Sequence, residues 1–273
     1  MHGQPILVDQ PTSVLSPAEI AAKQGASPVS RRMPGLLDRF LSGLFLNTAW
    51  ATRRNALRFL ANVPGDGGSK PRVLIIGGGA RGAGTEPLYS SEMIELIIFD
   101  VYATADTHFI ADAHRIPLVD GSVDGIWIQA VLEHVVEPLV VVSEIHRVLA
   151  PDGLVYSEIP FMQQVHEGAY DFTRFTLSGH RFLFRDFMVL ESGPHGGPGS
   201  QLNWSMDHFA RALFRSRNVG RLVKLLSIWL VWFDFVASRS HSVDAASGTF
   251  LLGRKSAQRI TPRDIIAFYA GAG

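Results

Sequence analysis

The stretch that decides the fold is Arg72-Val-Leu-Ile-Ile-Gly-Gly-Gly-Ala-Arg-Gly-Ala-Gly84. Val73 to Ile76 are apolar with no polar alternation, which suits a strand buried on both faces of a parallel sheet. The glycines that follow let the backbone turn sharply and leave no side chain between it and a ligand. Doubly wound α/β domains hold nucleotide-like cofactors at such a strand-to-turn edge. A glycine cluster alone fits an ordinary strand and loop equally well, so the neighbouring segments carry the decision.

Downstream, a short segment at 85–93 leads into Ile94-Glu-Leu-Ile-Ile-Phe-Asp100, a second apolar strand ending in an acid. Gly79 and Asp100 are 21 positions apart, close to the spacing of about 20 at which a carboxylate meets a ribose. A carboxylate suits a vicinal diol because it only accepts hydrogen bonds. The link 101–106 is too short for a crossover helix, so Thr107 to Asp112 reads as the next strand. Asp120-Gly121 turns the chain into a strand over 123–129, with Ala130-Val-Leu-Glu-His-Val135 as its exit. Pro138 opens a helix where its missing N–H does no harm, and Leu139, Val142, Ile145 and Leu149 form its expected buried stripe. Pro151-Asp-Gly153 ends that helix before a strand over 154–159. Strands alternating with helices in this way predict a mostly parallel, doubly wound sheet.

Upstream, residues 1–34 lack periodicity and read as a loosely held arm. Leu36, Leu37, Phe40, Leu44, Ala49, Leu57 and Leu60 recur at helical intervals, so 35–70 reads as a helical segment and linker before a domain over 71–273. Beyond 160, a sixth strand is expected over 187–191, a mobile glycine-rich loop over 193–199, and a last strand over 248–254. Helices at 200–215 and 219–237 form an insertion of about 200–240 before that last strand, placed to act as an acceptor lid. The run 225–236 is almost wholly apolar yet too short to span a bilayer. It reads as core, a dimer contact, an acceptor wall or a peripheral membrane contact. A short amphipathic segment closes the chain at 261–269.

Composition narrows the function. Basic and acidic residues balance at 25 each, so there is no nucleic-acid footprint and no polybasic membrane patch. The absence of cysteine excludes disulfides, thiolate zinc sites and cysteine nucleophiles. Met-His-Gly-Gln-Pro lacks the basic flank and apolar core of a signal peptide, so a cytoplasmic protein is expected. No G-x-S-x-G elbow supports a hydrolase, and no G-x-x-x-x-G-K-[ST] loop supports an NTPase. No close His/Asp/Glu spacing demands a metal.

Five pieces occur in order between about residues 73 and 161. They are the turn Gly77-Gly78-Gly79, then Asp100, then Asp112-Ala113 with Pro117, then Asp120 to Val135, and finally Glu144-Ile-His-Arg-Val-Leu-Ala-Pro-Asp-Gly153. Together they resemble the class I S-adenosylmethionine-dependent methyltransferases, of the type 11-like kind. The resemblance implies a Rossmann-like α/β fold with a seven-stranded, mostly parallel sheet, and S-adenosylmethionine as cofactor. It also implies that Gly77, Gly78 and Gly79 carry the cofactor's amino-acid end and that Asp100 holds the ribose hydroxyls. Asp112 and Ala113 would then meet the adenine, with Gln129 and Ala130 along the methionine part. One departure stands out: Ile75 occupies the position where the family usually has an acid that helps hold the cofactor's amino group.

The segment Pro160 to Thr176, with His166 before Asp171-Phe-Thr-Arg174-Phe-Thr176, is similar to loops in methyltransferases of glycan and polysaccharide gene clusters. It suggests methyl transfer to a small or glycan-like acceptor, at oxygen. His166 follows the fifth strand and can take a proton near neutral pH, which makes it the candidate base. Tyr170 and Arg174 are candidates to orient the acceptor, with Asp171 fixing His166 or Arg174; an ion pair that only pins the loop is equally consistent. His134 either caps a turn or faces the acceptor. Two other classes are expected to compete. One is a nicotinamide-dependent oxidoreductase, because Gly77 to Gly82 matches G-x-G-x-x-G, although no Tyr-x-x-x-Lys relay accompanies it. The other is a silent cofactor-binding scaffold, favoured by Ile75 and the apolar run.

Overall fold

The computed structural model describes residues 3–8, 13, 16, 18, 20, 46–65 and 67–272. Within them a seven-stranded sheet runs in the order β3-β2-β1-β4-β5-β7-β6. The strands are β1 (Arg72–Ile76), β2 (Glu95–Asp100), β3 (Phe109–Ile110), β4 (Val123–Gln129), β5 (Leu149–Pro160), β6 (Phe187–His195) and β7 (Gly248–Lys255). The first five pair parallel, whereas β7 lies antiparallel between β5 and β6. Strand order runs outward in opposite senses from β1, through β2 to β3 on one side and through β4 to β5 on the other, and the carboxyl ends of β1 and β4 bound the crevice expected of such a switch point.

The apolar run of β1 is explained by burial on both faces. Leu74 and Ile76 join Ile126, Ile128, Val155 and Leu251 in one core. Val73 and Ile75 join Trp127, Tyr156, Phe250 and Leu252 in the other. The first core is covered by Val141, Val142, Ile145 and Val148 of the helix Pro138–Val148, and the second by Ala56 and Phe59 of the helix Leu46–Asn62. Leu57 and Leu139, expected in the buried stripes, are half exposed instead, because the buried faces run through Thr52, Asn55, Ala56 and Phe59 in one helix and through Val141, Val142, Ile145 and Val148 in the other. The stretch before residue 46 that was expected to be helical lies outside the described residues.

Several elements differ from the sequence reading for identifiable reasons. Residues 4–7, read as part of a loose arm, are tied to the sheet. Ile6 bridges Ile110 in parallel, Leu7 N–H donates to Ile110 O at 2.8 Å, and Ile110 N–H donates to Pro5 O at 2.9 Å. This pairing covers the edge of β3. The expected loop at 193–199 is strand as far as His195, since Gly193, Pro194 and His195 pair with Phe250, Thr249 and Gly248. Pro194 is tolerated because β6 is an edge strand. The expected helix at 219–237 is broken. An α-helix spans Arg217–Leu226, and a tighter 3-10 segment spans Ile228–Phe235. Trp229, Trp232, Phe233, Phe235 and Val236 are exposed, so this run is not core among the described residues. No helix there is long and apolar enough to cross a membrane.

Candidate active site

The glycine turn is sewn to β2: Gly77 and Gly78 both donate to Phe99 O, at 3.0 and 3.2 Å. Gly77 has φ +76°, and a Cβ there would lie 2.2 Å from Val131 Cγ2. A Cβ on Gly79 would lie 2.6 Å from Asp100 Oδ2. The turn therefore requires glycine for conformation at Gly77 and for close approach at Gly79. Asp100, buried at the end of β2, accepts the Gly79 N–H at 2.7 Å and the Val101 N–H at 2.6 Å. Its carboxylate thus fixes the turn that it was expected to complement.

A cavity of about 370 Å³ opens beside this turn and brings together Gly77, Gly78, Gln129, Ala130, His134 and His166. Four of these are expected cofactor contacts, and the two histidines come from the exits of β4 and β5. Ala130 has φ +52°, an unusual backbone for a residue with a side chain, at the point where β4 leaves the sheet. Ile75 is buried at the floor of the same cavity and brings no charge there. Tyr89 and Thr85 supply polar groups on the wall, and burial pushes the Tyr89 hydroxyl up to about 12, so it stays protonated. Gly77, Gly78, Gln129 and Ala130 thus line one cavity, while the acid expected at position 75 is missing.

Asp112 and Ala113 do not line that cavity. Both are buried, and the Asp112 carboxylate accepts from Ser13 Oγ, from the His114 N–H at 2.9 Å, and pairs with His114 Nδ1 at 2.6 Å. Burial opposes ionisation of Asp112, but these hydrogen bonds outweigh it and hold the carboxyl below its ordinary range.

A second cavity, of about 320 Å³, shares Ala130 with the first and reaches Glu133, Glu158, His195, Ser200 and Trp204. Glu158, near the end of β5, is its hub. It accepts from Gln129 Nε2 at 2.9 Å, Tyr156 OH at 2.7 Å and Thr52 Oγ1 at 3.3 Å, with His195 Nε2 at 3.3 Å. Sequence reasoning passed over Glu158, although an acid ending a buried strand is the signal that singled out Asp100. His195 and Trp204 carry no such signal, because their approach depends on β6 and the insertion folding back.

The loop after β5 is stitched to the 3-10 turn Leu132–His134: the N–H groups of Phe172 and Thr173 both donate to Glu133 O, at 2.8 and 3.3 Å. Arg174 spends its donors on Asp171 and on the carbonyls of Gln163, Thr173 and Gln164. These bonds pin the loop. Burial alone would raise the Asp171 pKa, but Arg174 and the His166 N–H hold it down to about 2. Asp171 also accepts the His166 N–H at 2.9 Å, so it fixes both partners. Tyr170 contributes its backbone, accepting from His134 Nδ1 at 2.6 Å, while its ring lies exposed.

The result is a cluster that the sequence did not announce. Glu133 Oε1 lies 3.7 Å from His134 Nε2 and 3.9 Å from His166 Nε2, and the two rings stand edge to face at 5.0 Å. The Glu133 side chain is fully buried, and burial pushes its pKa up to about 8, with Arg174 opposing. Burial also lowers the pKa of His134, with the Tyr170 carbonyl opposing. The sequence showed no metal-like spacing because His166 is 32 positions beyond His134 and the loop alone brings it back.

Comparison with known proteins agrees with this architecture. The family described as a methyltransferase domain matches residues 89–157. The chain is 27% identical over 163 residues to a malonyl-(acyl-carrier protein) O-methyltransferase of Laribacter hongkongensis (strain HLHK9), a match covering 59% of this chain. It spans half the length of that curated relative. Among solved structures it resembles the MccD protein, with a TM-score of 0.50 and 14% identity over 76% of this chain and 96% of that one. It also aligns with a complex of the Haloferax volcanii Trm112 methyltransferase activator and a methyltransferase, with a TM-score of 0.48 and 18% identity over 82% of this chain and 100% of that one. The domain match begins at Tyr89, takes in β2, β3 and β4 and ends within β5, and this segment is similar to methyltransferase domains.

Proposed function

We propose that this chain transfers a methyl group from S-adenosylmethionine to oxygen of a small, polar, glycan-like acceptor. The observation that carries the reading is the meeting of two cavities at Ala130, with the glycine turn on one side, Glu158, His195 and Trp204 on the other, and His166 at the seam. The cofactor supplies an activated methyl on a sulfonium, and the protein's task is alignment and exclusion of water. Gly77, Gly78, Gln129 and Ala130 hold the donor. Trp204, with Lys224 Nζ 4.3 Å from its ring centroid, bounds the acceptor side, while Glu158, His195 and Ser200 meet the acceptor's hydroxyls. His166 Nε2 receives the acceptor proton as oxygen attacks; its Nδ1 faces the Gln164 carbonyl at 3.3 Å and Asp171 at 3.4 Å, which favours the tautomer with a free Nε2 lone pair. His134 faces the same seam. Methyl transfer to oxygen is also what the name of the Laribacter hongkongensis relative describes for that protein.

The nicotinamide reading has the G-x-G-x-x-G match in its favour, but the antiparallel β7 between β5 and β6 departs from the dinucleotide-binding sheet. The scaffold reading rests on Ile75 and the apolar run 225–236, and the glycine cradle beside Ile75 opposes it. The test is transfer of an isotopically labelled methyl group to a panel of hydroxylated, carboxylated and amine acceptors. Label recovered as a stable ether on a polyhydroxy acceptor, lost with His166→Ala, is expected. Label found only on carboxylates or amines would contradict the acceptor, and no label anywhere would contradict the activity.

A further inference from the structure

We infer that Glu133, His134 and His166 form a binding site for a divalent first-row transition ion at the seam between the two cavities. The three residues offer one ligand atom each, all within 4.8 Å of one another. Two imidazoles and one carboxylate are the donor set of mononuclear sites that leave positions free for other ligands. Ligand atoms about 2.1 Å from such an ion stand about 3–3.5 Å apart, so the separations of 3.7 and 3.9 Å close with small side-chain rotations.

Two further observations point to a ligand. The Glu133 side chain is fully buried, and apart from its own backbone amide neither of its carboxylate oxygens has a hydrogen-bond donor among the described residues. A buried carboxylate without partners is costly, and a cation between it and the imidazoles removes that cost. The imidazoles are also oriented from behind. His134 Nδ1 faces the Tyr170 carbonyl at 2.6 Å, and His166 Nδ1 faces the Gln164 carbonyl at 3.3 Å and Asp171 at 3.4 Å. Protons on both Nδ1 atoms leave both Nε2 lone pairs turned toward Glu133, the arrangement that supports histidine ligation. Arg174, pinned to Asp171, holds the loop that delivers His166.

Binding of the ion needs nothing from the methyl-transfer reading; its chemical use rests on it. With the ion in place, the His166 lone pair is committed, and the ion takes over the task of favouring loss of the acceptor's proton. That proton passes to solvent. The oxygen lone pair forms the bond to the methyl carbon as the carbon–sulfur bond breaks, and the bonding pair stays on sulfur.

The test uses untagged full-length protein, stripped with a chelator and then freed of it. Co2+ is titrated in while the visible d–d bands are followed, with Zn2+ competition as the second arm. One equivalent of Co2+ giving visible bands that Zn2+ abolishes is expected. Affinity should fall at least about tenfold, the equivalent of 1.4 kcal/mol, in each of Glu133→Gln, His134→Ala and His166→Ala, and stay unchanged in His241→Ala. Thermal unfolding of each variant separates loss of the site from loss of the fold, and Glu133→Gln keeps the shape of the buried side chain. Absence of the bands in folded wild-type protein, or equal affinity in the three variants, overturns the site. S-adenosylhomocysteine binding is measured on the same samples. Homocysteine-ligand binding without cobalt binding rejects only the ion, and cobalt binding without it supports the ion and rejects the methyl-transfer reading.

Discussion

Two aromatic regions of this molecule have similar composition and opposite fates. In the sheet, Trp127 is buried to 2% exposure, stacked on Tyr156 at 3.8 Å and met edge-on by Phe59 at 5.6 Å. In the insertion, Trp232 is 73% exposed and Phe235 70%, on a 3-10 segment whose one buried residue is Val231. Hydrophobicity distinguishes them poorly. What separates them is the number of layers: β4 lies between two other strands and under helices on both faces, whereas among the described residues the insertion leaves most of its aromatic side chains uncovered. Asp234 holds the segment in place, accepting from the N–H groups of Gly197, Gly199 and Ser200, and that leaves the aromatic side chains facing outward. An exposed apolar surface of this kind marks a contact site rather than a core.

The comparison breaks most visibly at Trp127. Replacement by Ala should cost about 3–5 kcal/mol in denaturant unfolding, because the cavity lies between two strands and a helix that cannot collapse into it. A cost below about 1 kcal/mol would mean that the stack is not part of the core.

Acid should sharpen it next, through His180. This residue is fully buried between Ser157 of β5 and Thr249 of β7, at 2.8 and 3.0 Å, and burial holds its pKa down to about 3. An unfolded histidine titrates near 6.5, so the folded state favours the neutral ring. The contribution is complete above pH 6.5 or so and is lost progressively as pH falls toward about 3, a loss of several kcal/mol. His180→Gln, which does not titrate, should flatten that part of the stability–pH curve.

At the cofactor end, Gly77→Ala forces a side chain into φ +76° and against Val131. Strain of about 1–3 kcal/mol should weaken S-adenosylhomocysteine binding roughly 10- to 100-fold, as read by calorimetry. The smallest effect belongs to the insertion: Trp232→Ser should change the unfolding free energy by no more than about 0.5 kcal/mol. Its readout is self-association or membrane partitioning rather than stability.

Legibility follows the same division. The apolar run 73–76, the glycine turn, Asp100 and Pro138 each act through chain neighbours or through a sheet whose period is short, so their places could be read directly. The Glu133, His134 and His166 cluster and the Glu158 hub depend on a loop returning after 32 residues and on β6 folding beside β7, contacts that no local pattern encodes. The insertion misled for a third reason. Its apolar content resembled a buried helix, and only the absence of a second covering layer among the described residues shows that it is surface.

The central claim is that the glycine turn and Asp100 hold S-adenosylmethionine. It is tested most directly by titration calorimetry of S-adenosylmethionine, S-adenosylhomocysteine and NAD against the wild type and Asp100→Ala. Binding of the first two and not of NAD, weakened roughly 10- to 100-fold by a substitution that removes charged hydrogen bonds worth about 1.5–3 kcal/mol, is the predicted result. Binding of NAD alone, or equal binding of the sulfonium ligands by both proteins, would contradict it.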